Sequence, residues 1–282
     1  MTDADRHRGA TVVFATRHGK QDQAAEVFRE LLDARVVAPE DIDTDQFGTF
    51  TGETARVRTP RQAALDKARL GIALTGHRFA LASEATYTSA WPTGSHHELL
   101  VFLDDDREVV LTEEAVVPAP GQGAVTLRDP GDALAVAARF GFPDTRAVVV
   151  WRRDGVTVAR KGLTSAAAVT AAVADAVADV TPDDGTVLIG PDLRAHANPA
   201  RRRVIADLSR RMAERLARPC PACRSAGWGR VGVERGLRCS GCGTASAGVA
   251  ADVLGCAVCD ATEVVPRSPG TIEPEWCEVC NP

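Results

Sequence analysis

The chain contains 282 residues, of which 45% are hydrophobic, and it carries a formal net charge of −5. This size and composition suit one domain of about 200 residues with a small appendix. The negative balance excludes an overall basic field of the kind that draws a protein to nucleic acid.

Short strands and helices alternate in the first half of the chain. A helical pattern of apolar residues lies between the first two predicted strands, and Thr59-Pro60 and Gly76 indicate the start and the end of a second helix. The acidic segment 41–53 is predicted to be a loop, and the aspartate run 104–106 the tip of a hairpin. Predicted strands cover residues 11–15, 36–37, 79–82, 97–103 and 108–117.

The second half continues this alternation. Thr164 is expected to cap an alanine-rich helix, and Asp175 and Asp179 make a packed helix far more plausible there than a membrane span. Pro199 is expected to begin a long helix that ends at Leu216. Another helix is predicted at 133–140, with strands at 147–151, 156–159 and 187–190. The pattern predicts an α/β fold with a mixed sheet, in a domain of residues 1–218.

The cysteines indicate a second, metal-binding domain at residues 219–282. A two-residue gap lets both thiolates of one turn reach the same ion, and zinc takes four such ligands. A segment this short with few large apolar residues needs such a staple in order to fold. The eight cysteines form four Cys-x2-Cys pairs: Cys220 and Cys223, Cys239 and Cys242, Cys256 and Cys259, and Cys277 and Cys280. We therefore predict a double zinc ribbon with two structural Zn²⁺ ions.

Two points about the cysteines stay open in the sequence. A disulfide framework needs an oxidising compartment, which nothing in the chain indicates, and iron–sulfur clusters use a different spacing. The pairs could share zinc sequentially or in an interleaved order. We favour the sequential order, because each half would then form a short hairpin with a cysteine pair at either end. Reduced thiols, and an N-terminus without the apolar core of a signal peptide, lead us to expect a cytoplasmic protein with no membrane partner.

Polar clusters follow several predicted strands, where α/β sheets bind ligands. They comprise residues 16–20, 83–84 and 192–198, with the loop 41–53 able to fold over them. Basic residues for phosphate are Arg17, Lys20 and Arg194, and carboxylates for Mg²⁺ are Asp43, Asp45, Glu53 and Glu84. The plainer alternatives are a solvated Lys20, aspartates that only form turns, and a His196 that only caps a helix. His96 and His97 are expected at the surface.

The same residues carry a resemblance to a known family. Residues 15–20 (ATRHGK) resemble the A-T-x-N-x-x-K motif of the inosine/xanthosine triphosphate pyrophosphatase superfamily, with His18 or Arg17 in place of the asparagine. The segments 47–53, 64–69 and 80–85 follow in the order that this superfamily uses. The resemblance covers roughly residues 11–120 and implies a fold of this pyrophosphatase type. The whole chain also resembles a bacterial family of unknown function.

This resemblance implies roles for individual residues. Thr16 and Lys20 would hold phosphates, Glu53 and Glu84 would hold Mg²⁺ or orient the attacking water, and Lys67 would neutralise charge. Apart from the resemblance, the polar clusters offer Arg17, Arg194 and His196 as further phosphate- or substrate-binding residues and Asp45 as a further Mg²⁺ ligand. The implied activity is Mg²⁺-dependent hydrolysis of a nucleoside triphosphate.

The alternative function is a module that binds nucleic acid or protein on a non-catalytic version of this fold. The last predicted helix is basic and leads into the cysteine-rich domain. Its arginines are Arg201, Arg202, Arg203, Arg210, Arg211, Arg215 and Arg218. A solvated helix face that pairs with nearby acids explains them more simply. The ribbons could also only cap the first domain or close a homodimer.

Overall fold

The computed structural model describes residues 6–88, 94–181, 185–268 and 270–282. These residues form two compact units. The larger unit spans Gly9–Met212, and the smaller unit holds Ala213–Pro282 with the described N-terminal residues that precede Gly9.

A five-stranded mixed sheet forms the first half of the larger unit. Its strand order is β2-β1-β3-β4-β5; β1 pairs in parallel with β2 and β3, while β3, β4 and β5 are antiparallel neighbours. The strands are β1 (Thr11–Phe14), β2 (Arg35–Val37), β3 (Phe79–Thr88), β4 (Ser95–Asp104) and β5 (Val109–Pro118). The predicted α/β class with a mixed sheet is therefore confirmed.

Two helices accompany this sheet, α1 (Ala25–Leu32) and α2 (Pro60–Thr75). Helix α2 begins with a capping box between Thr59 and Gln62 and ends at Gly76 in the left-handed conformation, as the sequence predicts. Its small residues Ala64 and Ala68 pack on the sheet among apolar side chains of β1, β3 and β4. Close approach of the helix brings its buried Lys67 against the same sheet.

A four-stranded antiparallel sheet with order β6-β9-β7-β8 forms the second half of the larger unit. Its strands are β6 (Val125–Thr126), β7 (Ala147–Arg153), β8 (Val156–Leu163) and β9 (Leu188–Pro191). Val149 and Trp151 pack with α3 (Ala133–Arg139) and α4 (Ala166–Asp179), whereas Val148 and Val150 point to the opposite face, because side chains alternate along a strand. Helix α5 (Pro199–Leu216) has the predicted bounds. None of the helices within the described ranges is both long and apolar enough to cross a membrane.

Two local predictions are wrong. Strand β3 does not end at Ser83-Glu84, because pairing with β4 continues to the Thr88–Ser95 pair. Glu84 therefore lies in the middle of a strand. Helix α4 is capped by Ser165 rather than Thr164, since the Ser165 hydroxyl accepts the backbone N–H of Ala168 at 3.2 Å.

Two small sheets build the cysteine-rich part of the smaller unit. Strands β10 (Gly229–Arg235), β12 (Val249–Gly255) and β13 (Thr262–Pro266) are antiparallel, and β11 (Arg238–Cys239) pairs in parallel with β14 (Thr271–Ile272). The pairings of β10 with β12 and of β11 with β14 join segments that are distant in sequence. This property decides which cysteines meet.

Candidate functional site

The cysteines of the smaller unit form two quartets, and in each quartet the four sulfur atoms lie within 4.8 Å of one another. Adjacent sulfur atoms are 3.6–3.8 Å apart in both quartets. Tetrahedral zinc with Zn–S bonds of about 2.3 Å requires a sulfur separation of about 3.8 Å, so either quartet could hold a zinc ion. The quartets are Cys220, Cys223, Cys256 and Cys259, and Cys239, Cys242, Cys277 and Cys280.

The favoured sequential pairing is therefore wrong, and the interleaved order is present. Antiparallel pairing of Gly229 with Gly255 brings the turn before β10 next to the turn after β12. Parallel pairing of Cys239 with Ile272 brings the second and fourth cysteine pairs together. Strand pairing across the unit, rather than local hairpins, thus determines each quartet.

The larger unit contains a cavity of about 490 Å³. Thr16, Lys20 and Asp45 enter it from the first half, and Lys161 and Arg194 from the second. Apolar residues of β7 and β9 form one wall, and the rings of Phe50 and Tyr87 contribute to another part of the lining.

Lys20 is buried in this cavity. Gly19 adopts a left-handed conformation (φ 69°), which glycine tolerates best, and turns the chain so that Lys20 opens a 3-10 turn. The Lys20 ammonium donates to the Ser83 carbonyl at 2.9 Å and to the Ser83 hydroxyl at 3.0 Å. Burial, and then the charge of Arg201, lower the pKa of Lys20 to about 7. The group therefore titrates near neutral pH.

Glu84 is held between two basic residues. Lys67 donates to one carboxylate oxygen, and Arg56 donates to the other at 2.8 Å and to the Ala85 carbonyl at 2.8 Å. Burial opposes ionisation, but the charges of Lys67 and Lys20 outweigh it, so the pKa of Glu84 lies below its usual value. A buried carboxylate is tolerated here because it is paired.

The acidic loop, residues 41–53, is hydrogen-bonded to residues that line the cavity or lie beside it. Asp45 accepts from His18 at 3.3 Å and from Arg17 at 3.4 Å. The hydrogen bond from His18, opposed by burial, lowers the pKa of Asp45 to about 2. Glu53 accepts from Lys161 of β8, so the loop is also attached to the second sheet.

A second group of hydrogen-bonded side chains lies in the turn after β9. Arg194 donates to Asp192 from Nη2 at 2.6 Å and from Nε at 3.0 Å. The His196 ring lies 5.1 Å from the His18 ring, and burial followed by the charge of Arg194 lowers the pKa of His196 to about 4. The His196 imidazole is therefore neutral at pH 7.

The residues that the sequence singles out gather in this region. Thr16, Lys20, Asp45, Lys67, Glu84 and Arg194 line the cavity. Arg17 and Asp43 line a neighbouring, more open hollow of about 570 Å³. Glu53 and His196 are outside the cavity lining but contact residues that belong to it.

The four carboxylates suggested for Mg²⁺ do not form one cluster. Within the described residues, the two cysteine quartets are the groups of three or more potential ligands that lie within 4.8 Å of one another. Asp45, Glu53 and Glu84 are instead each bonded to basic groups. In this conformation the cavity offers no preformed cluster of carboxylates.

Three basic residues of the cavity lining are not predicted as site residues from the sequence: Arg56, Lys161 and Arg201. The sequence predicts Arg201 on a solvated basic helix face, yet it is only 3% exposed. Ile205, Leu208 and Met212 follow it on the buried stripe of α5, so its position at helical spacing from apolar residues was the available signal. His96, expected at the surface, is also buried.

Other arginines of α5 are bonded within their own unit. Arg202 donates to the His196 carbonyl at 3.1 Å, and Arg211 donates to Glu113 at 2.6 Å. Arg203 and Arg210 are exposed. The expectation that the helix pairs with nearby acids therefore describes part of this surface.

Comparison with known proteins gives a family but no activity. The sequence model of a family described as "Domain of unknown function (DUF6671)" matches residues 67–282, so the chain belongs to that family. No curated protein sequence matches the chain.

Two solved structures are distantly similar. Protein VC0702 from Vibrio cholerae shares 11% identity over 40% of this chain and 66% of its own, just under two thirds, with a TM-score of 0.29. The hypothetical protein CT253 from Chlamydia trachomatis shares 13% identity over 39% of this chain and 71% of its own, with a TM-score of 0.16. At these scores neither likeness carries an argument about this chain.

Proposed function

We propose that this member of the DUF6671 family binds a nucleoside triphosphate in the cavity of its larger unit and hydrolyses it, with Mg²⁺, to the monophosphate and pyrophosphate. Lys20 carries the proposal. Its ammonium lies inside a polar cavity, and its hydrogen-bond partners are the neutral groups of Ser83. A buried cation bonded to neutral groups favours an anionic ligand, because the nearby carboxylates Glu98 and Glu84 compensate only part of the desolvation of its charge.

The charge of the whole lining supports the same ligand class. Six basic residues line the cavity against three carboxylates, which are Asp45, Glu84 and Asp192. The basic residues are Lys20, Arg56, Lys67, Lys161, Arg194 and Arg201. Glu53 and Glu98, which lie outside the lining, pair with Lys161 and Arg201, so six cations face five carboxylates in all. A polyphosphate would compete with these carboxylates for several cations at once.

The remaining lining suits a base and sugar. Phe50 and Tyr87 contribute aromatic rings, and Val148, Val150 and Leu188 contribute an apolar surface. A volume of about 490 Å³ lies in the usual range of small-molecule sites. A flat, partly apolar group joined to phosphates matches this division of the cavity.

Hydrolysis is supported by Glu84, Glu53 and the resemblance of the motifs around them to those of the inosine/xanthosine triphosphate pyrophosphatases. Mg²⁺, held by Glu84 and Glu53, would offset the negative charge that develops on the phosphate oxygens. An incoming triphosphate would compete with Glu84 for Lys67 and with Glu53 for Lys161. This competition would free both carboxylates to bind the metal or to orient water. Water would then form a bond to the α-phosphorus while the bond from that phosphorus to the α–β bridging oxygen breaks. Pyrophosphate would leave with the bonding electron pair, and a proton of the attacking water would pass to solvent.

The test is hydrolysis of a panel of standard and deaminated purine triphosphates by the full chain, with Mg²⁺ and with EDTA. Release of pyrophosphate in equal amount to the monophosphate, only with Mg²⁺, is the expected result. Tight nucleotide binding without any turnover would instead make the protein a non-catalytic nucleotide-binding module.

The second candidate is binding of nucleic acid. Arg203 and Arg210 favour it, because both are exposed and seven residues apart, on one face of α5. The cysteine-rich segment 219–282 opposes it, since it contains five arginines and no lysine against seven Asp and Glu residues. Two zinc–tetrathiolate centres would add further negative charge. We therefore rank nucleic acid below a small-molecule nucleotide.

For the smaller unit we propose a structural role, in which both cysteine quartets hold zinc as a pair of ribbons. The sulfur separations of 3.6–3.8 Å support tetrahedral coordination. The measurement that tests this proposal is the zinc content of the purified chain.

A further inference from the structure

A buried ion pair stands beside the cavity. Arg201 donates from Nε to one oxygen of Glu98 at 2.9 Å and from Nη2 to the other at 3.0 Å. Glu98 is fully buried and Arg201 is 3% exposed, yet Arg201 is part of the cavity lining. Arg201 is thus held by Glu98 at the edge of the cavity, with its guanidinium carbon 5.2 Å from the centroid of the Phe50 ring.

The hydrogen bonds of Arg201 leave donors for a ligand. A guanidinium has five N–H groups. Two are given to Glu98, and a third, on Nη1, is given to the Leu193 carbonyl at 2.6 Å. Within the described residues the remaining N–H groups, one on Nη1 and one on Nη2, are left over. Guanidinium N–H groups that remain available can bind the oxygens of a phosphoryl group.

Lys20 adds a third donor at the same place. Two of its three N–H groups are donated to Ser83, which leaves one. Both residues line the same cavity, and Ser83, which holds Lys20, lies two residues along β3 from Ala85, the register partner of Glu98 that holds Arg201. The charge of Arg201 disfavours the ammonium form of Lys20, and an anion bound to both groups would offset this effect.

The protein also fixes the orientation of Arg201 from behind. His96 is hydrogen-bonded to Glu98 at 2.8 Å, and its ring stacks on Tyr87 with centroids 4.5 Å apart. Ion pairs this deeply buried are often less stabilising than apolar residues of the same size. Stability alone therefore does not explain the arrangement, whereas a preset orientation of the guanidinium does.

We infer that Arg201 and Lys20 together form an oxyanion subsite that takes a phosphoryl group of the ligand, and that Glu98 is the positioning residue for Arg201. The inference rests on the proposed function in one respect, namely that the ligand is phosphorylated. It extends that proposal by naming which two residues hold the phosphoryl group.

The test uses inorganic pyrophosphate without metal, titrated calorimetrically into the full chain. Wild type is expected to bind it, and R201K to bind about tenfold to a hundredfold more weakly, because lysine keeps the charge but lacks the paired donors. The double variant E98M/R201M removes the buried pair without leaving a lone charge, so it should fold with an unchanged midpoint and bind with a similar loss. R211M is the matched control. Arg211 lies on the same helix as Arg201, is paired with Glu113 of β5 and is not part of the cavity lining. The affinity of R211M for pyrophosphate should stay within about twofold of the wild-type value.

Glu98 is tested by a double-mutant cycle. E98Q should weaken pyrophosphate binding in the wild-type background and have little further effect in R201K, because Glu98 acts through Arg201. Equal effects of E98Q in both backgrounds would contradict the positioning role. Wild type that fails to bind pyrophosphate, or E98M/R201M that binds as well as wild type, would overturn the subsite.

The outcomes separate this inference from the proposed function. Loss of pyrophosphate binding in the Arg201 variants, in a protein that hydrolyses no nucleotide, supports the subsite and contradicts hydrolysis. Mg²⁺-dependent hydrolysis that is unchanged in E98M/R201M supports hydrolysis and contradicts the subsite.

Discussion

The ammonium group of Lys67, in α2, is bonded to the carboxylate of Glu84, which lies in the middle of β3. Both side chains are at most 10% exposed. The pair joins the helix to the sheet and leaves Glu84 ionised inside the cavity. The metal-binding role proposed for Glu84 and the stability of the larger unit thus depend on the same contact.

This contact leads to a prediction for E84Q. The substitution keeps the size of the side chain but leaves Lys67 without its charge partner, so the free energy of unfolding should fall by about 3 kcal/mol. If Glu84 binds Mg²⁺, turnover should also fall on the order of 10²–10³-fold. The double variant K67M/E84Q removes both charges and should recover most of the stability but none of the activity. Full activity in E84Q would contradict the proposed role, and urea unfolding separates the two effects.

Lys20 leads to a prediction about pH. Since its pKa is lowered to about 7, the ammonium form that binds phosphate is lost as pH rises through 7. Pyrophosphate affinity should therefore be greater at pH 6 than at pH 8.5, and binding at pH 8 should take up protons. The variant K20M should bind weakly and without this proton uptake. Calorimetry in two buffers of different ionisation enthalpy measures the uptake, and its absence in wild type would contradict the assignment.

The lowered pKa of Lys20 also makes the free energy of unfolding depend on pH, and it increases with pH whereas the affinity for pyrophosphate decreases. The unfolded chain keeps Lys20 protonated up to about pH 10.4, whereas the folded protein releases that proton near pH 7. Between these values the unfolded state binds more protons, so Lys20 makes the free energy of unfolding rise with pH. K20M should flatten this rise between pH 7 and 9. Urea unfolding at several pH values checks it, and equal slopes in both proteins would contradict it.

The two cysteine quartets of the smaller unit lead to a prediction about the protection of their thiols. The double variant C220S/C223S should lose one of two zinc ions and expose the thiols of Cys256 and Cys259 to alkylation, because these four residues form one quartet. Cys239, Cys242, Cys277 and Cys280 should stay protected. Metal analysis with mass-spectrometric mapping of the alkylated cysteines measures both effects. Exposure of Cys239 and Cys242 instead would indicate sequential pairing.

Gly71 leads to a prediction about packing. A Cβ atom at this position would lie 3.1 Å from Val13 Cγ1 and from Ala15 Cβ, so G71V should push α2 away from β1. We expect a loss of about 1–3 kcal/mol. A73V is the matched control, because Ala73 is exposed in the same helix, and it should cost less than about 1 kcal/mol. Equal effects in the two variants, measured by urea unfolding, would show that the contact with β1 is unimportant.

Local signals gave the boundaries of most elements, and contacts between distant segments account for what was missed. The Thr59 capping box and Gly76 fix both ends of α2 because capping depends on a few neighbouring residues. Whether β3 ends at Glu84 depends on pairing with β4, which local polarity does not reveal. Likewise, Arg201 looks like a surface arginine until its partner Glu98, 103 residues earlier, is known. Lys20 and Arg194 could be placed in one region from strand order, but their bonding partners could not.

The interleaved quartets have a consequence for synthesis of the chain. The ribosome releases Cys220, Cys223, Cys239 and Cys242 first, and these four thiols do not form either native quartet. Cys256 follows Cys242 by fourteen residues, a delay on the order of one to three seconds at typical rates of translation. Any zinc captured in that interval is held by the wrong four ligands. If the native quartets hold zinc as proposed, such an ion must move to one of them once Cys256 and Cys259 are made, and correct metallation would then require ligand exchange during or after translation.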